Sequence, residues 1–133
     1  MGQAAALCEQ FGGFSEININ CGCPSPKCAK GGAHARCFGA RLMLQPATVS
    51  AVVKSITRST QLPVTVKCRL GANTDDYEEL KKFSGTVAQG GVRHFIIHAR
   101  KCILDGLSPS QNRSVSSTRN SVLDYTPICL CLD

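Results

Sequence analysis

The chain has no tryptophan, and only two tyrosines and five phenylalanines among its 133 residues. A stacking platform for single-stranded bases therefore has little to be built from. No apolar run approaches the roughly 20 residues a membrane-spanning helix requires. Acidic residues are few: nine Asp and Glu stand against fifteen Lys and Arg, for a net charge of +6 and a pI near 9.0. That excess suits a polyanionic partner such as RNA, and it is also common in inert domains. Nine cysteines are present, yet no CxxC pair occurs among them and no secretory leader pattern opens the sequence. Their odd number and irregular spacing predict reduced intracellular thiols rather than a disulfide framework. The length fits one small domain and falls short of the roughly 200 residues of a complete (β/α)8 barrel.

What is there is organised around Glu16-Ile17-Asn18-Ile19-Asn20-Cys21-Gly22-Cys23-Pro24-Ser25. Ile17 and Ile19 alternate with Glu16, Asn18 and Asn20, the period of a strand. Gly22 and Pro24 end the ladder, so Asn20 and Cys23 fall where a strand gives way to a loop. In α/β sheets and barrels such strand ends are where ligands bind. An amide that can donate and accept, three residues before a thiol, can hold a polar ring beside a proton donor. Taken on spacing alone, the same residues also read as a plain strand end and a Gly-Pro turn.

Along the chain, Ala4 to Phe11 reads as helix closed by Gly12-Gly13. Pro24 to Arg36 is a loop carrying Lys27, Lys30 and Arg36. Gly39 to Thr57 has helical character broken by Pro46, with Thr48 able to cap its second part. Val49, Val52, Val53 and Ile56 form an apolar stripe there. Leu62 to Gly71 is a β-branched strand. Asp75-Asp76 can cap a helix from Tyr77 to Ala88, with Leu80, Phe83 and Val87 inward and Gly90-Gly91 closing it. His94 to Arg100 is a third strand. Strands alternating with helices predict βαβ units and a parallel sheet. Asn/Cys, Lys/Arg and His/Arg would then stand at one common rim. Cys8, Cys68 and Cys102 read as small buried apolar residues.

Five stretches together carry a family likeness: Glu16–Ser25, Phe38-Gly39-Ala40, Pro63–Gly71, His94–Arg100 and Leu107-Ser-Pro-Ser-Gln-Asn-Arg113. In order and spacing they resemble the tRNA-dihydrouridine synthases, over about residues 3–115. The resemblance implies an α/β fold, a fragment of an FMN-binding (β/α)8 TIM barrel supplying about strands 3 to 5 with their helices. It implies residues 1–115 as a partial barrel domain and 116–133 as an unmatched tail. It further implies reduction of uridine to 5,6-dihydrouridine in tRNA, with FMN as cofactor and NADPH as electron donor. Carried over residue by residue, Cys23 resembles the general acid and Asn20 the residue on the uracil edge. Lys67 and His98 resemble flavin contacts, and Arg113 a contact to tRNA or the target nucleotide. Hydride addition to the uracil double bond creates enolate character, which calls for a nearby donor and a neutral or cationic surround.

Departures from the family pattern are a longer loop around Ala33–Arg36 and the polar run Ser114–Ser121. The first and the late barrel strands are also missing. The expectation is a piece of a longer enzyme, inactive alone, cytoplasmic or organellar. Three other readings stay open. Another flavin barrel acting on free pyrimidines or dihydroorotate also places an Asn near a Cys-Pro turn. A zinc module could use Cys21, Cys23, Cys28, His34 and Cys37, and a non-catalytic RNA-binding module would suit the charge. Taken alone, Lys67 reads as a solvated strand-end lysine and His98 as a hydrogen-bonded core histidine.

Overall fold

The computed structural model describes residues 1–25, 38–73, 77–100, 102–104, 107–108 and 110–111. Three strands form one sheet in the order β1 (Ile17–Cys21), β2 (Val64–Arg69), β3 (His94–His98), and both pairings are parallel. A parallel pair cannot be joined by a tight turn, so each connection carries a helix. After β1 come a 3-10 helix, Gly39–Leu44, and α2, Pro46–Thr57. After β2 comes α3, Tyr77–Ala88, while α1, Gly2–Phe11, precedes β1. Helix α2 packs against both α1 and α3.

The register sorts the side chains onto two faces. Ile17, Ile19 and Cys21 align with Val64, Val66 and Cys68, and the last two with Phe95 and Ile97. This face joins Val49, Val53 and Ile56 of α2 and Leu80, Phe83 and Val87 of α3 in one core. Each such side chain contributes about 1.5–3 kcal/mol when fully buried. The other face carries Asn18 and Asn20, then Thr65, Lys67 and Arg69, then His94, Ile96 and His98. On it Asn18, Asn20, Lys67, His94 and Ile96 are exposed, while Thr65 and Arg69 are buried.

Some expected boundaries move. Strand β1 runs one residue further than its alternation suggests, because Cys21 still pairs with Cys68. Helix α2 begins at Pro46 with Gln45 as its N-cap, and Thr48 lies inside it. Pro at the first helical position has a preset φ and no amide to satisfy, so it opens this helix rather than interrupting one. Cys8 is only partly buried, whereas Cys68 and Cys102 are fully buried. The Asp75-Asp76 cap, the basic loop residues Lys27, Lys30 and Arg36, Arg113 and the 116–133 tail lie outside the described residues. So do Cys28, His34 and Cys37 of the zinc alternative. Among the described residues no group of three or more His, Cys, Asp or Glu could hold a metal, and no helix is long and apolar enough to cross a membrane.

Candidate active site

The carboxyl ends of the three strands make one rim. Asn20 aligns with Lys67 across the β1–β2 pair, and Arg69 aligns with His98 across the β2–β3 pair. Residues aligned in a parallel ladder project to the same side, so all four belong to the open face. Asn20 and Lys67 are exposed and His98 is half-buried. One step lower, the Asn18 amide donates to Thr65 Oγ1 at 2.8 Å, tying the floor of this face together.

The turn that carries Cys23 is held from several directions. Asn20 Oδ1 accepts from the backbone amides of Gly22 (3.0 Å) and Cys23 (3.1 Å). Those two donors fix which way the amide points and occupy its oxygen. What Asn20 offers a ligand is therefore its NH2 group. The amide's accepting half thus serves the loop rather than a ligand. Ala40 N–H donates to the Cys23 carbonyl at 2.8 Å. Gly39 makes this approach possible: its φ is +62°, and a Cβ there would run into the Cys23 carbonyl oxygen and stand 3.1 Å from Cys23 Cβ. Phe38-Gly39-Ala40 is thus the back wall of the thiol turn.

The loops leaving β2 and β3 zip together beyond the strands. Leu70 N–H donates to the Arg100 carbonyl (3.2 Å), Cys102 N–H to Gly71 (2.9 Å) and Asn73 N–H to Cys102 (2.6 Å). Asn73 sits in the left-handed region at φ +67° and its Oδ1 accepts from Leu104 N–H at 2.8 Å. Further on, Ser108 N–H donates to Gln111 Oε1 (2.8 Å) and Gln111 N–H to Ser108 Oγ (3.2 Å). This reciprocal capping box opens a helical turn just before Asn112-Arg113.

The rim is electropositive. Burial, and then the charges of Arg69, Arg100 and Lys67, hold the His98 imidazole below its usual pKa of 6.5, so it is neutral at pH 7. The two cysteines on the helix-covered face are different in kind. Burial, then the neighbouring Cys68, pushes the Cys21 thiol up to about 12; burial alone pushes Cys68 to about 12. Burial also raises Cys102, against a lowering influence of Arg69, with Cys23 near enough to raise it further. A separate cleft of about 440 Å³, bordered by Ser15, Glu16, Thr65, Arg93 and His94, lies at the opposite ends of the strands and carries none of these thiols.

With this geometry in view, a family model described as "Dihydrouridine synthase (Dus)" matches residues 1–123. The chain belongs to the dihydrouridine synthase family. Its β/α units are accordingly a segment of a TIM barrel. Relatives named tRNA-dihydrouridine(20/20a) synthase include one from Xanthomonas axonopodis pv. citri, 44% identical over 90% of this chain and 34% of its own length. Another, from Xylella fastidiosa, is 46% identical over 80% of this chain and 31% of its own. A third, from Synechocystis, is 42% identical over 88% and 35%. The chain spans about a third of the length of the curated relatives it matches.

In a TIM barrel the open face of the sheet is the lumen side and the rim is the catalytic end. Asn20, Cys23, Lys67 and His98 all belong to that rim. Arg69 stands on the same face; the family motif contains it, but the likeness assigns it no role. The period-2 alternation could have found it, since Lys67 and Arg69 share a face.

Proposed function

We propose that this chain is the uracil-side segment of an FMN-dependent enzyme that reduces uridine to 5,6-dihydrouridine in tRNA, at positions 20 and 20a as its relatives' names state. What supports this reading most is the register that sets Asn20 beside Lys67, directly below the turn bearing Cys23. The donor set suits a flavin: an exposed ammonium, a neutral imidazole and nearby guanidinium groups favour carbonyl oxygens and developing negative charge. Lys67 and His98 would hold the FMN ring, which, reduced by NADPH, would supply the hydride.

The chain's own residues then divide the work. The Asn20 NH2 group donates to a carbonyl on the uracil edge and orients the ring. Once hydride had been added to one carbon of the ring's double bond, Cys23 would give its thiol proton to the other carbon, leaving a thiolate that solvent reprotonates. The cationic rim stabilises the enolate character that builds up between these events. The target base must leave its stack to reach the rim, and Arg113 would contact the tRNA or the target nucleotide. A tRNA substrate would put the enzyme in the cytosol or an organelle.

The test is nucleoside mass spectrometry on tRNA from cells in which the gene carrying this sequence is disrupted. Dihydrouridine at positions 20 and 20a should disappear. It should return with the wild-type gene and stay absent with Cys23→Ala. Unchanged dihydrouridine at both positions would sink the proposal.

A further inference from the structure

Arg69 is a charged side chain left only 4% exposed, at the last position of β2. A guanidinium taken from water this far must be paired, or its desolvation is uncompensated. Its Nε–H donates to the Gly22 carbonyl at 2.9 Å, a contact between residues 47 apart in sequence. Gly22 is the residue between the end of β1 and Cys23. Of the bonds that hold this turn, those from Asn20 are local, and the one from Ala40 grips its far side. The Arg69 bond ties it to β2, the strand that carries Lys67, and it is charge-assisted.

We propose that Arg69 is the positioning residue for Cys23: through its Nε–H bond to the Gly22 carbonyl it sets where the thiol stands above the Asn20–Lys67 pair. It need not touch substrate to do so. The consequence for catalysis rests on the reductase reading above; the positioning itself does not.

Three substitutions separate the bond from the charge. In Arg69→Gln the amide nitrogen occupies the same place along the side chain as Nε, so the donor stays and the cation goes. In Arg69→Lys the cation stays and a methylene takes the donor's place. Arg69→Met removes both at similar length. Amide hydrogen exchange on the 133-residue chain reads the outcome at Gly22 and Cys23. Ile17, whose N–H is held by the Pro63 carbonyl at the other end of β1, reports global opening. Relative to Ile17, Gly22 and Cys23 should exchange only a few-fold faster than wild type in Arg69→Gln, which keeps the bond and loses its charge assistance. They should exchange roughly tenfold or more faster in Arg69→Lys and Arg69→Met, the loss expected of a charge-assisted bond. Alkylation of Cys23 by iodoacetamide, normalised to Cys8 on α1, should sort the variants the same way. Should Arg69→Met fail to fold, the Gln and Lys variants decide alone. Equal protection in every variant overturns the proposal, and so does Lys matching wild type while Gln does not. Neither result touches the tRNA experiment, and loss of the tRNA result leaves the exchange pattern standing.

Discussion

The two faces of this small sheet are made from the same strands and do opposite things. On the helix-covered face Ile19, Cys21, Val66 and Cys68 are buried among aliphatic side chains and hold the layers together. On the open face Asn20, Lys67 and His98 carry groups that can bind and exchange protons, and little packs against them. Cys21 and Cys23 show the difference most sharply. They are two residues apart, yet one thiol is fully buried and pushed up to about 12, while the other rides a turn built by Asn20, Ala40 and Arg69. Stability and chemistry are thus separated by one step of strand periodicity, so the two can be perturbed independently.

The largest effect should come from the covered face. Phe83 of α3 is 2% exposed, and Phe83→Ala should lower unfolding free energy by about 3–5 kcal/mol. Lys67→Met on the open face should change it by less than about 0.5 kcal/mol. Urea denaturation followed by circular dichroism measures both. Comparable losses would mean that the open face carries structural weight the packing does not reveal.

Next comes the contrast between thiols. A rise from 9.0 to about 12 leaves Cys21 and Cys68 roughly a thousandfold poorer in thiolate than an ordinary cysteine near pH 8. In the folded chain, iodoacetamide should label Cys23 while sparing both, and the spared pair should react only on unfolding. Site-resolved mass spectrometry gives the rates, and fast native labelling of Cys21 would break the distinction between the faces.

Much of this arrangement was legible from residues alone. Leu80, Phe83 and Val87 mark the inward side of α3, and Gly90-Gly91 mark where it closes. The alternation of Ile17 and Ile19 with Asn18 and Asn20 marks the two faces of β1. The family likeness supplied the roles at the rim, which spacing could not. What pattern could not supply was contact between distant segments. Nothing local says that the Asn20 oxygen is taken by its own loop, that Gly39 backs Cys23, or that Arg69 reaches Gly22. Such bonds depend on how the β1–β2 crossover returns, and hydrophobic periodicity is silent on that.

Gly39 offers a smaller disturbance aimed at the turn itself. Any side chain there meets both the positive φ and the Cys23 backbone. Gly39→Ala should cost about 2–4 kcal/mol in stability. It should also alter the Cys23 alkylation rate relative to Cys8 even at temperatures where the chain stays folded. An unchanged rate would mean that the 3-10 helix is not what supports the thiol turn.

The gentlest probe is the charge on the rim. His98 is held below 6.5 by burial and then by Arg69, Arg100 and Lys67. Its folded form therefore binds fewer protons than the unfolded chain wherever the pH lies between the folded value and 6.5. Stability should rise with pH through that window and level off above it. Seen from the other side, it is lost as pH falls through 6.5, and the loss ends once the folded imidazole is itself protonated. Arg69→Gln and Lys67→Met should each raise the His98 pKa toward 6.5 and narrow the window, with Arg69→Gln having the larger effect. The titration is read by NMR, with His98 distinguished from His34 and His94 by single His→Gln variants. Added salt should raise His98 too, through screening of its exposed neighbours, and less than removing Arg69, which is buried and little screened. A His98 that titrates the same in wild type and both variants would mean burial alone sets it, leaving the cationic rim without influence on its charge.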